Sequence, residues 1–489
     1  MTTSIPGPVT AAFTASTEVP RKAWLALIVL LAGMFMALLD TTIVNVALPT
    51  IRTSLDASES TLSWIISGYA LAFGLVLIPA GRIGDRYGHK WVFFTGLAIF
   101  TAASLACGLA LDSTGLIVAR VVQGLGGGIF FPAVTAFIQL LFPPMTRGKA
   151  FAILGAVIGV SSALGPIVGG LLIAAIGEEN GWRWIFAVNL PIGIVALVAA
   201  AILLPKGAEG KKTSTDLVGL LLLSASLVAI LVPLIQGQDA GWPLWTYLSI
   251  GGGVVLLVLF ALWERRVAAR GVEPLVPPHL FSHPAFTGGT ILALVFFAGF
   301  TSIFFTISIL WQAGLGHTAL ESGLVSVPFA IGNIIGASQS DRLAKRLGRT
   351  VLVIGNALLS LGLIALFVIV LLVPTADLTN WDLLGPLFVA GFGAGLFIAP
   401  NARFIVATVD RSEAGAASGV IGVMQRIGAA IGIAIIGSVL FGNIGPIAGP
   451  ADVAGAFGQA ATPALALSAA FAIAAFALVF ALPKRAELH

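Results

Sequence analysis

Asp40, in the stretch LLDTTIVNVALPTI (38–51), is an acid well inside an apolar run. A carboxylate at the centre of a membrane-spanning helix costs about 2.5–3.5 kcal/mol or more, so one kept there is a functional candidate. The chemistry open to it is loading and release of a proton. A structural ion pair or a capped kink is the other reading. Arg120, inside a separate apolar run, is its natural partner in either case, because a guanidinium stabilises an ionised carboxylate. A second cluster, GRIGDRYGHK (81–90), sets Arg82, Asp85, Arg86, His89 and Lys90 among Gly81, Gly84 and Gly88, in a chain with only 9% charged residues. It reads as a tight turn between two apolar runs. Asp85 is placed to accept bonds from a helix N-terminus or an arginine. Such a cluster can latch one conformation and release it in another, or can simply anchor a basic loop on one side of a membrane.

The elements that must position these residues follow from composition. Of the 489 residues, 58% are hydrophobic, and the mean hydropathy is +1.05. Apolar runs of 18 or more residues recur along the whole chain. About 20 residues at ~1.5 Å each cross a ~30 Å hydrocarbon core, so the runs read as membrane helices. They are too long and too evenly apolar for barrel strands. The polar, Pro-rich start, MTTSIPGPVTAAFTASTEVP, reads as a disordered tail rather than a cleaved signal. The single cysteine, Cys107, excludes an intrachain disulfide and a cysteine metal cluster, and the five histidines show no zinc spacing, so no metal site is expected. No Gly-x-x-x-x-Gly-Lys-Ser/Thr loop occurs, which argues against direct drive by ATP. Neither clustered catalytic side chains nor a long loop outside the apolar runs is present, so an enzyme is not expected.

Fourteen spans are predicted: 22–48, 60–80, 91–111, 114–140, 148–174, 183–204, 215–236, 244–267, 285–313, 320–342, 350–373, 384–406, 412–441 and 460–482. An even number puts both termini on one side. Loops on that side hold 20 of the 25 Lys and Arg, whereas the opposite loops hold only Arg52 and Arg183. Positive-inside bias therefore places both termini in the cytoplasm. The net charge of +4 then reflects orientation, and nucleic acid is not an expected partner. Asp40 is the one acid that reads as clearly buried within a span. The loop SQSDRLAKRLGRT (338–350) repeats the Asp-Arg, Gly and basic pattern of 81–90. Two six-helix halves around an inserted pair of helices fit this weak repeat.

GRIGDRYGHK resembles the signature loop of the major facilitator superfamily, with Gly81, Asp85, Arg86, Gly88 and Lys90 at the motif positions and His89 where an arginine is common. Four further matches fall in order. They are LLDTTIVNVALPTI in the first span, RVVQGLGGGIFFP (120–132) in the fourth, GAVIGVSSALGPIVGG (155–170) in the fifth and WRWIFAVNLPIG (182–193) opening the sixth. Together they resemble the drug:proton antiporters with fourteen spans. The resemblance implies an all-α membrane protein of two six-helix bundles plus two extra helices. The corresponding division is a tail at 1–21, an N-terminal bundle at 22–204, a linker with the inserted helices at 205–284, a C-terminal bundle at 285–482 and a tail at 483–489. It implies proton coupling by Asp40 and Arg120. It also implies that the face of Gly155, Gly159, Gly165, Pro166, Gly169 and Gly170 seals the interface between the halves. Small residues at spacing four favour close packing in any case, and Pro166 permits a bend.

Trp64, Tyr69, Phe131, Phe300, Phe304, Asn401, Glu413 and Arg426 are candidates to line a substrate cavity, although membrane helices are rich in phenylalanine wherever they face. Glu413 opens the thirteenth span and reads first as an acid favouring a helix N-terminus. The function implied is export of amphipathic or cationic drugs across the cytoplasmic (inner) membrane by a monomer. Its partners are the small-molecule substrate, protons and lipid; it uses no cofactor and draws energy from the proton gradient. A dedicated exporter of one metabolite or antibiotic is the alternative, and a membrane sensor or enzyme the more distant one.

Overall fold

Among the described residues, each of the fourteen apolar runs is largely helical, and there is no strand. The structure is a computed structural model. It describes residues 19–57, 59–205, 216–237, 240–272, 274–407, 409–410, 413–445, 449 and 452–482. The expected C-terminal tail, residues 1–18 of the N-terminal one and 206–215 of the linker lie outside the described residues, as do the topology markers Lys206, Lys211, Lys212, Arg411, Lys484 and Arg485.

The helices are α1 (Arg21–Leu55), α2 (Glu59–Tyr87), α3 (His89–Gly108), α4 (Ser113–Leu141), α5 (Pro144–Ile176), α6 (Glu178–Ala187), α7 (Asn189–Leu203), α8 (Leu217–Gln236), α9 (Leu244–Ala269), α10 (Pro284–Ile309), α11 (Ala319–Val325), α12 (Val327–Leu347), α13 (Thr350–Leu372), α14 (Asn380–Val406), α15 (Ala414–Gly442) and α16 (Val453–Val479). Among the described residues, twelve helical stretches are long and apolar enough to cross a membrane, with α6–α7 and α11–α12 each forming one span. A thirteenth comes from α5, whose arms Thr146–Ser161 and Leu164–Ile176 meet at 40°. Pro166 has no N–H to reach back four residues into that break, which accounts for the bend. The apolar part of α8, Val218–Leu234, is shorter. Fourteen spans are compatible with this set. Large apolar side chains face outward: Ile202 is 75% exposed and Leu244 72%. Such a surface is an aggregation hazard in water and suits lipid tails.

In the first half α2 and α3 pack on α4, and α1 packs on α5 and α7. In the second, α12 and α13 pack on α14, and α10 packs on α15 and α16. The two groups meet where α5 lies along α12 and α14, and where α15 lies along α2 and α4. Helices α8 and α9 pair with each other, and α8 touches both α2 and α15.

One expectation needs correcting. Asp40 is not the one buried acid within a span, since Glu264, near the end of α9, is 2% exposed. It accepts a hydrogen bond from the backbone N–H of Val276 at 2.8 Å. An acid so near a helix end reads from sequence as solvated. The chain beyond α9 folds back over it and supplies the donor.

Candidate functional site

Asp40 and Arg120 form a direct ion pair in which neither side chain is more than 1% exposed. The Asp40 carboxylate also accepts from Gln123 Nε2 at 2.9 Å and from Asn189 Nδ2 at 3.2 Å. Ser104 joins the cluster, accepting from the same two amides at 3.2 and 3.0 Å and donating to the Phe186 carbonyl at 2.9 Å. Arg120 is held from several sides. It donates to the Ile65 carbonyl at 3.1 Å and to Gln123 Oε1 at 2.7 Å, and its guanidinium lies 4.1 Å from the centre of the Tyr69 ring. Burying two charges is offset only when their remaining lone pairs and protons find partners, and here amides and a carbonyl supply them.

Local sequence explains the convergence. Asp112 caps α4 by accepting from the N–H of Gly115 at 2.7 Å, as its short carboxylate suits. Arg120, Gln123, Gly124 and Gly127 then fall on one face at spacings of three and four. A side chain at Gly124 would collide with the Tyr69 carbonyl, and one at Gly128 with that of Phe73. The glycines thus let α2 lie against α4 and set Tyr69 over Arg120. Asn189 arrives because Pro191 has no N–H to bond back towards Ala187, so the span breaks into α6 and α7 at that point.

The predicted turn at 81–90 narrows to Gly88 alone, since Gly81, Asp85 and Arg86 lie in the last turns of α2 and His89 and Lys90 open α3; these residues form a second site at the meeting of the two halves. Asp85 accepts from the backbone N–H groups of Gly415 and Ala416 at 2.8 and 3.0 Å. It therefore caps α15 from another helix, where a carboxylate also faces the positive end of the helix dipole. His89 Nε2 lies 3.2 Å from the same carboxylate. A side chain at Gly81 would collide with the Gly415 carbonyl, so this approach requires glycine. Gly88, at φ +94°, turns the chain from α2 into α3. Lys90 donates to the Ala201 carbonyl at 2.7 Å, near the end of α7, and Arg86 lies over the Tyr87 ring at 4.8 Å. The repeat in the second half places Asp341 on Arg403 at 3.1 Å and Lys345 at 2.7 Å, against Gly148 near the start of α5.

The small-residue face of α5 divides its contacts. Gly155 and Gly159 face Ala399 and Asn333 of the second half, Gly170 faces Leu320, and Pro166 abuts Gly323. Gly165 and Gly169 face Thr42 and Ile43 on α1.

The cavity candidates do not all come together. Tyr69, Phe73 and Phe131 form an aromatic chain with ring centres 5.8 and 5.3 Å apart, and the Arg426 guanidinium lies 4.0 Å from the Phe73 ring. Trp64 is half-buried one turn before Tyr69. Phe300 and Phe304 pack on Phe329 at 5.7 and 5.0 Å, within the second half. Asn401 is buried there and donates to the Gly289 carbonyl at 3.2 Å. Glu413 stands apart at the loop end of α15, 3.0 Å from His279. It occupies the N-cap position but makes no side-chain cap bond; Asp85 makes that cap instead. Burial pushes the Glu413 carboxyl above the usual carboxylate range, and the nearby His279 opposes that shift.

Nothing in the sequence singles out Gln123, Asn189 and Ser104 as partners of Asp40. Gln123 and Asn189 do lie within the fourth- and sixth-span motifs, as polar residues in apolar surroundings, and that was the available signal.

The family model described as Major Facilitator Superfamily matches residues 30–433. A probable actinorhodin transporter of Streptomyces coelicolor is 37% identical over 429 residues, covering 87% of this chain and 73% of that protein. The puromycin resistance protein pur8 of Streptomyces alboniger is 35% identical, covering 86% and 82%. The tetracenomycin C resistance and export protein of Streptomyces glaucescens is 31% identical, covering 89% and 79%. Among solved structures, the proton:xylose symporter XylE superposes with a TM-score of 0.66 at 13% identity, covering 95% of this chain and 96% of that one. That likeness speaks to the fold alone.

Proposed function

The chain belongs to the major facilitator superfamily, and from that premise we propose that it exports amphipathic small molecules across the cytoplasmic membrane in exchange for protons. It is a multi-pass membrane transporter, not an enzyme, and its family works without a cofactor. Its similarity to antibiotic resistance and export proteins supports the direction of transport. The observation that carries the coupling is the fully buried Asp40, held by Arg120, Gln123 and Asn189. A proton arriving from outside neutralises Asp40 and weakens its hold on Arg120. The halves then rock about α5, α12 and α14, and substrate enters from the cytoplasm or inner leaflet. Deprotonation restores the pair and accompanies return with the substrate. Asp85 at the start of α15 biases which end is closed. Both termini face the cytoplasm, and the two bundles run over 22–204 and 285–482, with 205–284 between them.

The testing experiment is a screen of chemically diverse fluorescent compounds in vesicles carrying a proton gradient, with and without an uncoupler. Gradient-dependent, uncoupler-sensitive accumulation is the expected result. Accumulation indifferent to the uncoupler overturns the coupling. A dedicated exporter, which the named antibiotics of the relatives favour, differs in moving one compound class and ignoring the rest of the screen.

A further inference from the structure

Arg426 is the twelfth residue beyond the start of α15, roughly 18 Å along the helix axis and near the middle of its span. Among the described residues it has no hydrogen bond and no ion pair; its one close partner is the face of Phe73 across the junction with α2. Arg120, by contrast, is matched by Asp40. The pair cancels, and the middle of the described membrane region retains one uncompensated positive charge. Intramembrane arginines are costly and normally pair with an acid or a carbonyl. The ring of Phe73 compensates only in part, because a cation over an aromatic face lacks the directed acceptors that a guanidinium's five N–H groups can engage. The side chain is half-buried, so part of it remains accessible. Beside it runs the buried aromatic chain of Tyr69, Phe73 and Phe131, whose neighbouring rings are tilted by 46° and set edge-on at 71°.

We propose that Arg426 is the substrate's anchor, and that the exported compounds are amphipathic aromatic acids whose carboxylate or phenolate pairs with it beside the aromatic cluster of Phe73. This rests on the exporter reading and narrows it. A guanidinium in a fork geometry matches a carboxylate bidentately. In a low-dielectric setting a cationic ligand next to the same group is repelled. The amphipathic or cationic compounds expected from sequence are thereby reduced to acidic ones. Substrate and proton also occupy separate charges, Arg426 on α15 and Asp40 on α1.

The test uses purified full-length protein, read by energy transfer from tryptophan to pyrene. Pyrenebutyric acid and its amide share shape and ring and differ in charge; ethidium serves as the cation. The expected result is at least tenfold tighter binding of the acid than of the amide, with displacement of the acid by ethidium absent. Arg426→Gln should erase the acid-to-amide ratio, and Arg426→Lys should keep part of it. Thermal unfolding of each variant checks the fold. An unchanged ratio in Arg426→Gln, equal loss of both ligands, or tighter binding of ethidium than of the acid overturns the proposal. Vesicle transport of the same probes separates the two readings. Uphill export of ethidium but not of the acid sinks the anchor and keeps the exporter. A preserved binding ratio without any uphill export sinks the exporter and keeps the anchor.

Discussion

Asp85 and Gly415 stand 330 positions apart in sequence and meet through a 2.8 Å hydrogen bond from the Gly415 backbone N–H. One half of the molecule thereby caps a helix of the other. The bond is available only while α2 and α15 are close, so it reports and biases their approach. Loss of a helix cap costs about 1 kcal/mol, enough to shift a two-state balance roughly fivefold. Asp85→Ala, which removes both acceptors, is expected to slow transport by about that factor or more while leaving substrate binding within twofold. Asp85→Asn, which keeps one acceptor but loses the charge facing the helix dipole, should slow it less. Gly81→Ala, which forces the same helices apart, should act as Asp85→Ala does. Initial transport rates and equilibrium binding on the same preparations check this. Wild-type rates in Asp85→Ala and Gly81→Ala would return the loop to a plain membrane anchor.

Asp40→Asn keeps the size of the side chain and removes its titration. The variant should stay folded, lose uphill efflux and retain downhill exchange. Arg120→Ala leaves a buried carboxylate without its countercharge and should destabilise by about 3–5 kcal/mol. Gradient-driven and passive fluxes, measured beside thermal unfolding, distinguish the two. A stable Asp40→Asn protein that still concentrates substrate removes Asp40 from the coupling.

Asn189→Ala withdraws one donor from Asp40 without touching the ion pair. A neutral hydrogen bond contributes about 0.5–1.5 kcal/mol. The expected outcome is a fold stable to within that range and a displaced pH profile of transport. A profile that superimposes on wild type would make Asn189 a packing residue alone.

Glu413 gives a pH-dependent stability of defined sign. Its carboxyl is raised above the usual range by burial, with His279 opposing. The native state then binds more protons than the unfolded one between the ordinary carboxylate value and the raised one, so stability falls as pH rises through that window. Glu413→Gln should remove this fall and be as stable as wild type, or more so, at neutral pH. Thermal unfolding between about pH 4 and pH 7 is the check. A wild-type-like slope in the variant would rule the residue out as its source.

Reporter fusions at residues 112 and 215 should report opposite sides of the membrane. The same side for both would break the span count on which the orientation rests.

The helices and the Asp40–Arg120 pair were legible because both depend on contrast: apolar runs against polar gaps, and charges against apolar runs. What surrounds the pair was not. Gln123 and Asn189 show in sequence only as polar residues, and the 149 positions between Asn189 and Asp40 are closed by the break at Pro191, which periodicity does not measure. From sequence, Glu413 reads as the acid at the start of its own helix. The backbone donors there go to Asp85, whose shorter side chain suits a cap and whose approach depends on a helix packed from the other half. Glu264 is hidden from sequence for the same reason, since its donor comes from the chain folding back beyond α9.

The unmatched charge of Arg426 has an electrical consequence. A monoanion leaving the cell and a proton entering it both carry positive charge inward. One exchange of this kind moves two elementary charges, so an inside-negative potential of 100 mV supplies about 4.6 kcal/mol per cycle, at ~2.3 kcal/mol per charge. Export would then be driven by voltage even where the pH on the two sides is equal, and would polarise the membrane of any vesicle in which it runs.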